Sequence, residues 1–185
     1  TNIRAMRTAQ LTALDTKQIV ALTTDQVAAL STFNISAFNT DQLAAMETGD
    51  LVVLTTTNLQ ALSTKQIAAL LTDRIAALTT LQVDGLSTTN VAGLGTAQIA
   101  ALETQDFVVL RTSNMAALGT AQVVAFTTDQ ASALTSKQIV SLNTSQVRAM
   151  ETADFEALGT HAIAALATYT VSVLTTAQIV ALTTA

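Results

Sequence analysis

At 185 residues, half of them apolar, the chain is long enough to bury a core. It carries 13 Asp and Glu against 8 Lys and Arg and has no cysteine. That balance argues against a surface for nucleic acid or anionic membrane, and it excludes disulfides and thiolate metal sites.

The chain opens at Thr1 without an initiator Met or a signal peptide, as expected of a processed or excised stretch. From Arg7 to Leu182 it divides into 22 gapless octads. With Arg7 as position 1, position 2 is Thr throughout except for Ser136. Position 4 is Gln in twelve octads, with Asn or Asp in seven others, and position 5 is apolar in all 22. Position 8 is Leu, Phe or Met, and position 7 is Ala, Gly or Ser except for Val53, Val109 and Val173. Positions 1, 3 and 6 hold nearly all the charge. A longer rhythm lies over this one, because Ser31 to Leu86 aligns with Ser87 to Leu142 at an offset of 56 residues.

Eight residues do not suit a long helix. At about 100° per residue an apolar stripe slips by roughly 80° per repeat. They do suit a string of short helices. In "LTTAQIVAL", with Thr175 as N-cap, Gln178 falls at N3 and completes a capping box, while Leu174 and Ile179 form a hydrophobic staple. The greater constancy of the second Thr leaves position 2 as the other candidate N-cap. Helices of about six residues are unstable alone, so the expected fold is an all-α solenoid, one very short helix per octad, held by stacking of positions 5 and 8. Small residues at position 7 let backbones approach, and Gly95, Gly119 and Gly159 at position 1 suit corners. The alternative is a β-solenoid with about three octads per coil and stacked Thr and Gln ladders. Against it, positions 5 and 8 have opposite parity along a strand, and six glycines with no proline are few for its corners.

Several side chains stand out in chain order. Phe33, Leu81 and Tyr169 are bulky residues at the otherwise polar position 3 and are candidates for lateral contact. Glu47 with Asp50, Glu103 with Asp106, and Glu151 with Asp154 pair carboxylates three residues apart, and Glu occupies position 1 only in these octads. Such a pair could share Ca²⁺. The plainer reading is that they complement the helix dipole and replace the Gln of the capping box. His161, the only histidine, has no second ligand nearby in sequence and is expected to be a solvated surface residue. No catalytic constellation, cofactor motif or phosphate loop is visible, so no enzyme is expected.

The phrase "LTTAQIVAL" resembles the first helix of transcription-activator-like effector repeats, in which proline fills the slot of Thr176. The second helix, base-reading pair and basic stripe of that family have no counterpart here, so DNA reading does not carry over. All 22 octads resemble the repetitive "LTTxQ(I/V)xAL" tracts of large secreted bacterial exoproteins, labelled adhesin-like or haem-utilisation proteins. That resemblance implies an extracellular or cell-surface structural role and transfers no catalytic residue.

The repeat runs through the whole of residues 1–185 as a single array without terminal caps. Exposed ends would invite head-to-tail stacking into a homopolymeric fibre, with Thr1, Ile3 and Met6 meeting Ile179 and Leu182. The alternative is an adhesin stalk that contacts a protein or glycan through positions 1, 3 and 6.

Overall fold

The computed structural model describes residues 2–182. After a 3₁₀ turn at Asn2–Ala5 come 22 α-helices of four to six residues, from Thr8–Thr12 to Thr176–Ala181, and no strand occurs among the described residues. Every helix begins at position 2 of its octad. Position 1 is therefore the N-cap, with extended backbone such as φ −71° and ψ 158° at Thr175. Where that residue is Ser, Thr, Asn or Asp, its oxygen accepts from the position 4 amide, at 2.8 Å for Asp15 and 2.9 Å for Asn39.

Each helix closes as tightly as it opens. As far as Leu174, the N–H of position 8 donates to the carbonyl of position 5, at 3.2 Å for Leu54 and Leu51, and the chain then runs straight into the next extended N-cap. No described residue has positive φ, glycine included. Gly95, Gly119 and Gly159 are extended N-caps, not left-handed corners. A chain with six glycines and no proline can thus turn a corner every eight residues.

The helices stack in a fixed register. Thr16–Val20 packs on Thr40–Ala45, and Thr64–Ala68 on Thr88–Gly93. Likewise Ser136–Ser141 packs on Thr160–Ala165, and Thr152–Glu156 on Thr176–Ala181. Each pair is three helices, or 24 residues, apart, so a coil consists of three octads, one per side. Three octads is also the coil of the β-solenoid alternative, but its sides are helices, not strands. The chain forms two compact units, Thr1–Leu94 and Gly95–Ala185, and each is an all-α solenoid. No helix among the described residues is long and apolar enough to cross a membrane.

Positions 5 and 8 make the core of each unit. From Leu11 to Phe155 position 5 is at most 1% exposed. In the second unit Phe107 and Phe126 meet edge to face with ring centroids 4.9 Å apart. Position 7 is mostly small, and at Gly85 and Gly93 a neighbouring coil lies directly against it. A Cβ added to Gly93 would come within 2.8 Å of the Thr64 Cα, and one on Gly85 within 2.5 Å of the Thr56 methyl. The same contacts give the constant position 2 threonine a role other than capping: it sits at N1 and floors the position 7 residue of the following coil.

Candidate functional site: the joint between coils

The side chain at position 4 does two jobs. Its oxygen accepts from the N–H of its own N-cap, which completes the capping box, at 2.9 Å for Gln42 and Asn39. Its nitrogen reaches the adjacent coil and donates to carbonyls at a helix end, where backbone oxygens lack helical partners. Gln42 Nε2 lies 2.7 Å from the Leu11 carbonyl oxygen and 2.8 Å from that of Leu14. Gln130 repeats this in the second unit with Ile99 and Leu102 at 2.9 and 2.7 Å, and Gln146 with Met115 and Leu118. One amide therefore ties the start of one helix to the end of another 28–31 residues earlier. Most of these amides are buried, and a buried amide must satisfy both its ends.

Other residues serve where they bring a donor. Asn90 Nδ2 reaches the Leu59 and Leu62 carbonyls at 3.1 and 3.0 Å. Arg74 Nε reaches the Met46 carbonyl at 3.0 Å while its guanidinium pairs with Asp73. Where position 4 is Ala162 and has no donor, His161 replaces it: its Nε2 lies 2.9 Å from the Leu134 carbonyl oxygen. The imidazole folds over Gly159, where an added Cβ would lie 2.7 Å from its Cε1. His161 is exposed, as expected of a surface residue, and its ring nitrogen in addition fills a vacant joint.

The acidic octads are the exceptions. Glu47, Glu103 and Glu151 are N-caps, and Asp50, Asp106 and Asp154 are buried at N3. Asp50 keeps half of the glutamine's task, accepting from the Glu47 N–H at 3.4 Å. Burial raises its pKa above the ordinary carboxylate value; that N–H bond opposes the shift and the Glu47 charge adds to it. At Asp154 burial again dominates the upward shift, opposed by the Thr128 hydroxyl and reinforced by Glu151. Among the described residues no three His, Cys, Asp or Glu side chains converge as a metal site.

The remaining candidates lie apart from these joints. Phe33 and Leu81 are 60% and 73% exposed and sit on one side of the first unit, in helices that both stack on Thr56–Gln60. Tyr169, 57% exposed, belongs to the second unit. Of the proposed end contacts, Ile3 is buried, Met6 and Leu182 are half-buried, and Ile179 is exposed, while Thr1 lies outside the described residues.

The inter-coil role of position 4 escaped sequence reasoning, although a signal for it exists. Glu serves a capping box as well as Gln does, yet Glu is found at none of the 22 position 4 sites. A slot that holds Gln, Asn or Arg in seventeen octads and never Glu favours a side chain that brings a donor.

No curated protein matches the chain. A family model, described as the ALTTAQ repeat, matches residues 2–32, 43–80, 75–104, 99–136 and 147–184, most of the sequence. With its octads, three-sided coils and glutamine joints, the chain belongs to the ALTTAQ repeat family.

Proposed function

We propose that the chain is a structural scaffold of an extracellular bacterial fibre, built by stacking copies coil upon coil. The observation that carries this is the recurrent joint, in which one position 4 amide ties a helix start to carbonyls 28 and 31 residues earlier. Each coil so joined covers the position 5 column of its neighbour, which is at most 1% exposed from Leu11 to Phe155. A non-closing contact of this kind makes filaments. Extracellular placement is supported by the resemblance to exoprotein tracts and by the absence of cysteine.

Electron microscopy of the purified chain across a concentration series tests this. Filaments that lengthen with concentration are expected, and Val171→Asp with Ile179→Asp should return dispersed particles. Dispersed monomers of the unmodified chain at every concentration overturn it. The second reading, an adhesin stalk gripping a protein or glycan, is favoured by the shared side and exposure of Phe33 and Leu81. Phe33→Ser with Leu81→Ser would then abolish ligand capture and leave assembly intact.

A further inference from the structure

Asp154 sits in a slot that in most other octads of its unit holds a glutamine. Gln130, Gln138, Gln146 and Gln178 each send Nε2 to carbonyls 28 and 31 residues earlier, at 2.7–3.2 Å. At Asp154 the same register points at the carbonyls of Phe126 and Val123. Asp154 and Phe126 are both buried. The carboxyl Oδ1 accepts from the Thr128 hydroxyl at 3.0 Å, and Oδ2 is buried without a partner. An ionised Oδ2 would set a bare negative charge toward carbonyl oxygens, the costliest arrangement a buried oxygen can adopt.

The surrounding charges offer no relief. Glu151 and Glu156 lie on its own segment and Asp129 on helix Thr128–Ser132, which packs against it. Helix Thr176–Ala181, on the other side, and residues 119–127 carry no charged side chain. Arg148, the nearest cation in sequence, lines a different cleft with Thr120, Ser145 and Thr175. We propose that Asp154 is held as the neutral acid, its Oδ2–H donating toward the Phe126 carbonyl, so that a proton does the work of the glutamine amide and this joint loosens as pH rises. On loosening, the O–H bond breaks, the proton passes to water, and the carboxylate must leave the slot to be solvated.

The sign follows from the folded state holding its proton longer than the unfolded chain, as burial and Glu151 dictate. The joint's contribution is complete below the unfolded carboxyl's pKa. It is lost as pH rises through the higher folded value.

Two measurements on the full chain test this. In a ¹³C NMR titration the Asp154 carboxyl should ionise above the ordinary Asp value of about 3.9. Urea midpoints from about pH 3 to about pH 8 should show the original chain losing stability relative to Asp154→Asn as pH rises. The variant carries a permanent Nδ2 donor, as Asn90 does naturally, so it is expected to fold. Ionisation at or below the ordinary value overturns the proposal. So does an Asp154→Asn variant that keeps the same pH slope or is weaker at every pH. A rise in the midpoint of the original chain, but not of the variant, on adding Ca²⁺ at high pH would overturn it in favour of a bound cation.

Discussion

Gln82 in the first unit and Asp154 in the second occupy the same place in their octads and are equally buried, at 3% exposure each. Their joints differ completely. Gln82 Nε2 donates to the carbonyls of Leu51, Val52 and Leu54 at 2.7, 3.3 and 2.8 Å, while its Oε1 accepts from the Thr79 N–H at 2.9 Å. Asp154 has a single bond, from a threonine hydroxyl, and a buried oxygen with nothing to meet it. Helix position and burial are shared, so the contrast shows what the joint loses when its slot brings no hydrogen to the neighbouring coil. Asp154 neither accepts from its own N-cap N–H nor donates outward, whereas Asp50 still does the first of these.

The largest effect should come from turning one joint into the other. Gln82→Asp at neutral pH strands the Leu54 carbonyl and buries a charge, for a loss of about 3 kcal/mol. Chemical denaturation should register that loss and show part of it recovered in acid. A loss that ignores pH would break the comparison. Next in size, Gly93→Ala challenges the spacing on which every joint depends. Its new Cβ meets the Thr64 Cα at 2.8 Å, and backbone cannot swing away as a side chain can, so about 2 kcal/mol should be lost. Ala at Gly95, where the nearest atom would lie 3.6 Å away, should be nearly neutral in the same assay. The smallest change concerns the borrowed donor. His161→Ala should cost about 1 kcal/mol, the worth of one hydrogen bond. Gly159→Ala should cost a similar amount by displacing the imidazole. The double variant should cost no more than either alone, and a thermal-melt double-mutant cycle reads that coupling directly.

The helices themselves were legible because every cue for them is local. A capping residue, its partner three positions on, and a staple recur at fixed offsets, and the structure starts a helix at each of them. Local rules do not rank Thr175 against Thr176 as N-cap, because constancy at position 2 looks like capping. Thr56 and Thr64 show that the constancy of position 2 comes from packing beneath a later coil, a contact 29 residues away that no local rule contains. The number of octads per coil was hidden for the same reason: nothing within one octad records what it stacks on. The second role of His161 was hidden because position 3 is elsewhere variable and outward. Its meaning lies in two neighbours, the donorless Ala162 and the space left by Gly159, and only together do the three residues make sense.

The corners built without a single left-handed residue have a consequence for how such proteins change in length. Because ordinary backbone makes every bend, no octad is committed to a particular face, and any of them can follow any other. Gain or loss of one copy in the gene shifts everything downstream onto the next face and leaves each bend intact. Growth need not come in whole turns. The 56-residue offset between Ser31 and Ser87 is seven octads, not a multiple of three, which such bends permit. A lineage can therefore tune the reach of this molecule in increments of eight amino acids, as one adds links to a chain.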